Sequence, residues 1–170
     1  MKETLKPASV ARHGHGCGAR AAILWLALAA LTHASAALAQ NEDKVKAGVA
    51  LWRGSGCSDC HGPFANGEKE RDESPTGANL RTSRLDAAAL KLAITCGRPG
   101  TGMPAFDEGA SAARGCSSVS EFPAPRKLSP EEIDAIVAYL QARILGHGRI
   151  TKAECLLYYT DRPEWCEDYN

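Results

Sequence analysis

The chain has 170 residues, 44% of them hydrophobic, and its 20 basic and 20 acidic side chains give a formal charge of zero. That length suits one domain with a core of its own. The balanced charge, with no basic cluster, argues against nucleic acid as a partner.

At the start, Lys2, Lys6, Arg12 and Arg20 precede the apolar run AAILWLALAAL, Ala21 to Leu31. The run is too short to cross a bilayer, which takes about 20 apolar residues. It is followed by ASAALAQ, where Ala37 and Ala39 are the small residues a signal peptidase accepts. Residues 1–39 are therefore expected to be a secretory signal cleaved near Ala39-Gln40, leaving no stable membrane insertion. Its removal would take four basic residues and one acidic one, leaving 16 against 19. Cys17 lies before the apolar run and is badly placed for lipid attachment. Export implies an oxidising compartment, in which cysteines not used by a cofactor should pair.

Residues 40–150 then read as one domain. EDKVKAGVALW, Glu42 to Trp52, spaces Val45, Val49 and Trp52 at helical intervals, and Gly54 and Gly56 end it. Gly62 to Arg84 is rich in Gly, Pro and charge and reads as loop. LDAAALKLAITC, Leu85 to Cys96, is a second helix with Asp86 as its cap and Gly97 and Pro99 as its stop. Gly100 to Lys127 is irregular again. In LSPEEIDAIVAYLQARIL, Ser129 is an N-cap, Pro130 takes the first helical position and Glu132 completes a capping box. Ile133, Ile136, Val137, Leu140 and Ile144 form its apolar stripe. No segment alternates as a strand would. The expected class is all-α, with three or four short helices and long loops. That is too little regular structure to fill a core, so something else should occupy the middle.

Cys57-Ser58-Asp59-Cys60-His61 supplies a candidate. Two cysteines separated by two residues could cycle through a disulfide or chelate a metal, but a histidine directly after the second is the signature of covalent c-type haem attachment. Two thiols add across the vinyl groups on one porphyrin edge, and the adjacent imidazole is swung beneath the iron. A thioredoxin-like centre would need a βαβ setting, and structural zinc would need a second closely spaced ligand pair. Neither context is present.

With that motif following an N-terminal helix, with TGANL (Thr76 to Leu80), GTGMPAF (Gly100 to Phe106) and LSPEEIDAIVAYL, the chain from Glu42 to Leu145 resembles a class I c-type cytochrome. The resemblance implies one covalent haem c, with Cys57 and Cys60 as attachment points and His61 and Met103 as axial ligands to its iron. Met103 is the only methionine besides the initiator. Alone it would read as core filler; between Gly102 and Pro104 it matches the family's axial thioether. His147, in GHG after the last helix, is the rival sixth ligand. The resemblance also implies that the first and last helices cross near Gly48 and a residue around Ala138 or Tyr139, with Trp52 packed beside them. Ala78 stands where relatives usually have proline, and its carbonyl would receive the proton of the axial histidine. Trp52, Ala78 and Asn79 are the expected surroundings of the ligands. The charged run GEKERDE, Gly67 to Glu73, reads as a solvated face or a docking surface.

Four cysteines remain, and three pairings are open. Cys96 with Cys116 would close a loop around Met103, and Cys155 with Cys166 would staple the tail, 151–170, to the domain; crossed pairs such as Cys96 with Cys155 stay possible. A six-coordinate iron leaves no open position for a substrate. The expectation is a periplasmic, monomeric electron carrier rather than an enzyme. Its donor would be a periplasmic dehydrogenase, with quinoprotein alcohol dehydrogenase suggested by CGRPGTGMPAF and the cysteine-bearing tail, and its acceptor an oxidase or another cytochrome. The alternatives are a haem sensor or peroxidase-like enzyme with a displaceable sixth ligand and, more distantly, a scaffold with a structural metal.

Overall fold

Val45, Val49 and Trp52 fall on one side of a helix and are all almost fully buried. That helix, α1, runs through residues 39–54 of a computed structural model that describes residues 39–170. The expected signal, apart from Ala39, and Cys17 lie outside the described residues. After α1, Gly56 turns the chain in the left-handed region (φ 77°) into a short helix, α2, Cys57–His61. The attachment motif is thus wound into a single helical turn. Then α3 spans Ala87–Cys96, with Asp86 accepting from Ala89 N–H, and Gly97 ends it. The helix starts two residues later than the sequence suggests, because Asp86 stands outside it as the cap.

α4, Pro130–Tyr139, carries the capping box: Ser129 accepts from Glu132 N–H while the Glu132 carboxylate accepts from Ser129 N–H. It continues into a π-helical turn, Leu140–Ile144, and both of those residues stay in the core. The tail adds a helix that sequence periodicity did not reveal, α5, Lys152–Tyr158, capped reciprocally by Thr151 and Glu154. The fold is all-α. Among the described residues the only extended pairing is an isolated bridge between Asp107 and Leu128.

α1 crosses α4 at Gly48. A Cβ there would lie 2.2 Å from Ala135 O and 2.7 Å from Tyr139 Cβ, so only glycine permits the approach. The crossing therefore falls on Ala135 and Tyr139, the second of which the resemblance implies. Trp52 meets Tyr139 edge to face at 6.0 Å on the core side. Gly48→Ala is expected to destabilise the protein by about 3 kcal/mol, the upper end for overpacking, because the obstacle is backbone. Guanidinium unfolding of the haem-loaded protein measures it, and a loss below about 1 kcal/mol would place the crossing elsewhere.

Ala39–Asn170 pack as one unit. Cys155 pairs with Cys166, and Cys96 with Cys116, each with Cα atoms 5.6 Å apart. Both members of the first pair belong to the tail, so this disulfide closes the tail on itself instead of stapling it to the domain. Side chains do the docking. Tyr158, Tyr159 and Tyr169 surround Phe64 with ring centroids 5.6–5.9 Å away, and Arg53 Nη1 donates to Tyr158 O at 2.9 Å.

Candidate functional site

Trp52, Cys57, Cys60, His61, Ala78 and Met103 all line one cavity of about 510 Å³. Most of its wall is aliphatic or aromatic, with Leu80 and Phe106 from loops, Leu90 and Ile94 from α3, Ile136 from α4 and Leu140 from the π-helical turn. The size and polarity are those of a site for one large, flat, mostly apolar group. Asn79 is not part of the lining: it is exposed, and its Oδ1 accepts from Arg81 N–H at 2.9 Å, bracing the loop. His147 is exposed beyond the π-helical turn and does not line the cavity either.

His61 Nδ1 lies 2.8 Å from Ala78 O. A carbonyl can only accept, so Nδ1 carries the proton and Nε2 keeps the lone pair needed to bind a metal. Burial holds the imidazole below its usual pKa, and the Arg98 guanidinium adds to that against the opposing pull of the Ala78 carbonyl. The ring is therefore neutral at neutral pH, the form that coordinates. Gly77 makes the contact possible, since a Cβ there would lie 2.6 Å from His61 Nδ1. Its N–H donates to Cys60 O at 2.8 Å, tying the loop back to α2. Trp52 stacks obliquely 5.8 Å from the His61 ring, and its indole N–H donates to Gly62 O at 3.1 Å.

Met103 sits in a tightly braced turn. Arg98 N–H donates to Met103 O at 3.0 Å, while Met103 N–H donates to Thr101 Oγ1, which donates to Arg98 O at 2.7 Å. Gly97 (φ 67°) is packed against Pro104 and Ala105, and Lys127 Nζ donates to Ala105 O at 2.7 Å. The Cys96–Cys116 disulfide closes the loop that contains this turn.

As free thiols, Cys57 and Cys60 would be poor redox chemistry. Burial pushes Cys57 up to about 12, helped by the neighbouring Cys60 and Asp59, and burial raises Cys60 as well. A thiol–disulfide exchange centre needs the opposite, a thiol made acidic by its surroundings. Nor do the described residues contain a cluster of three or more His, Cys, Asp or Glu side chains that could hold a metal ion between them.

A family model described as Cytochrome c matches residues 45–143. The chain belongs to the cytochrome c family. No curated protein and no solved structure gives a significant match. As a cytochrome c the protein binds covalent haem c with its iron and serves haem-based electron transfer, and members of the family are generally carriers rather than enzymes. The cavity fits that group: an apolar slot, two thiols on one helical turn, and a neutral imidazole whose outer nitrogen is already engaged.

The charged run 67–73 is more than a solvated face. Lys69 Nζ donates to Asp72 O and Ser74 O, Arg71 pairs with Asp59 at 3.8 Å, and Glu70 accepts from Tyr158 Oη at 3.1 Å. Three residues that brace the site are not evident from the sequence. Gly77 lies within TGANL, but its necessity comes from a ring 16 positions away. Arg81, buried, and Glu154, half-buried, form an ion pair; only the spacing Thr151-x-x-Glu154, a capping-box pattern, marks one of them.

Proposed function

We propose that this cytochrome c is a class I, monohaem, Met/His-ligated electron carrier. Cys57 and Cys60 would hold the haem by thioether bonds, and His61 Nε2 and Met103 Sδ would ligate its iron. The observation that carries this reading is the convergence of His61, with Nδ1 occupied by Ala78 O, and Met103, held by its braced turn, on one apolar cavity. The haem iron supplies reversible one-electron chemistry and a raised potential under Met/His ligation. The chain's own residues exclude water from the slot, keep the imidazole neutral and hold the thioether in place. With His61 and Met103 both engaged by the iron there would be no open position for substrate, which supports a carrier rather than an enzyme.

The mature protein is periplasmic and monomeric, with residues 1–39 as its cleaved signal. In support, no helix among the described residues is long and apolar enough to cross a membrane. Phe122, 43% exposed, stands at the cavity rim with Pro75 and gives a redox partner an apolar surface to approach. The donor is a periplasmic dehydrogenase, with a quinoprotein alcohol dehydrogenase as the specific candidate, and the acceptor is an oxidase or another cytochrome. The test is an absorption spectrum of the mature protein in both oxidation states. Haem that survives acid-acetone extraction, together with the near-infrared methionine-to-iron(III) band, is the expected result. Covalent haem without that band would overturn the Met103 assignment.

A further inference from the structure

We infer that Arg81 and Glu154 are positioning residues for the axial histidine: through this ion pair, the C-terminal segment keeps the Ala78 carbonyl on His61 Nδ1. The inference rests on His61 being the axial ligand.

Arg81 is 6% exposed, and all five of its guanidinium N–H groups have an acceptor. Nη1 and Nη2 grip the two Glu154 oxygens at 3.1 and 3.3 Å. Nε donates to Gly148 O at 3.0 Å, Nη2 to Arg149 O at 3.1 Å and Nη1 to Phe64 O at 3.4 Å. Removing two such charges from water costs several kcal/mol per ion, and a buried pair is best justified where it sets a register. Here it joins three segments: the stretch after α2, the loop that holds Ala78, and the tail.

The Ala78 loop needs such an anchor. Ala78 is exposed, its side chain is a single methyl group, and among the described residues its N–H donates to no protein acceptor. Upstream the loop is fixed by Gly77 N–H on Cys60 O. Downstream it is tied at and around Arg81: Arg81 N–H to Asn79 Oδ1, Arg81 O accepting from Gly146 N–H, Leu80 N–H to Ala65 O, Thr82 Oγ1 to Asn79 O and Ser83 N–H to Leu80 O. Glu154 in turn is set by its cap, accepting from Thr151 N–H at 2.9 Å. α5 is held by the Cys155–Cys166 disulfide and by Tyr158 on Glu70. A continuous path therefore leads from the folded tail to the hydrogen bond that orients the imidazole and raises its basicity as a ligand.

The test uses the full haem-loaded chain and the hyperfine-shifted Nδ1 proton of His61 in the ferric state, whose exchange with solvent reports how often the Ala78 bond opens. Glu154→Gln should speed that exchange about tenfold or more, each factor of ten being about 1.4 kcal/mol of local opening. Asp161→Asn, which removes only the exposed contacts of Asp161 with Arg53 and Arg162, should leave it unchanged. Ala78→Pro placed in the Glu154→Gln protein should restore slow exchange, since Ala78 has a negative φ and no N–H bond to lose, and proline stiffens the loop directly. If Glu154→Gln does not load haem, Arg81→Lys, which keeps the charge and loses the fork, is read in the same way. Unchanged exchange, equal acceleration in Asp161→Asn, or no rescue by proline overturns the inference. Absence of the shifted ring proton in the wild-type protein would instead overturn the assignment of His61.

Discussion

Met103→Ala is expected to abolish the near-infrared methionine band, allow the ferrous protein to bind carbon monoxide, and lower the midpoint potential. The direction follows from the ligand: a thioether favours ferrous iron, so replacing it with water or nothing favours the ferric state. The drop should be of the order of 0.1 V or more, within the roughly 0.8 V that axial ligation spans. The rest of the site should survive, because the turn is held by backbone and by neighbours rather than by the thioether. Arg98 N–H on Met103 O, Lys127 Nζ on Ala105 O and Phe106 N–H on Ile94 O all remain after truncation. A variant that lost the band yet stayed low-spin and refused carbon monoxide would mean that another side chain binds the iron. His147 is the one the sequence offers, and its exposed position beyond the π-helical turn puts it out of reach without unwinding. The same bracing bears on the sensor and peroxidase alternatives. A sixth ligand that leaves readily belongs on a loose loop, and this turn is closed by a disulfide.

What could be read in advance was local. Ser129, Pro130 and Glu132 announce α4 because a capping box is a contact between residues three apart. The attachment motif is legible for the same reason, all its parts lying within five residues. Thr151 and Glu154 carry the same reciprocal cap, yet α5 went unseen, since seven residues give little periodicity and Pro163 follows soon after. Arg81 was invisible in another way. Nothing around it is apolar enough to suggest burial, and its carboxylate lies 73 positions downstream. Likewise the requirement at Gly77 is imposed by the His61 ring, and the π-helical turn after Tyr139 leaves no mark in a stripe that runs evenly from Ile133 to Ile144. From the sequence the tail looks like an appendage stapled by a disulfide. It is instead held through Phe64, Arg53 and Arg81, side chains that look like ordinary loop and helix-end residues until their partners are placed.

Replacing both attachment cysteines, Cys57→Ser with Cys60→Ser, is expected to have the largest effect of any change in the chain: no extraction-resistant haem, and no cooperative unfolding transition by circular dichroism. The cavity is the reason. At about 24 cal/mol per Å³ of unfilled volume, 510 Å³ corresponds to a penalty of about 12 kcal/mol. That is an upper bound, because the mouth is open to water and the walls can close in. Even half of it rivals the whole stability of a typical domain, about 5–15 kcal/mol. The helices cannot make up the difference among themselves. α1 meets α4 closely at Gly48, but Leu80, Leu90, Ile94 and Phe106 face the slot and have little apolar surface across from them without its occupant. The two disulfides would still form, since each closes within its own segment, and the thiol-free variant should retain them by mass. A cooperative, helical, haem-free protein would show that this core stands without a cofactor, and the cavity would then be a binding site rather than the missing half of the fold.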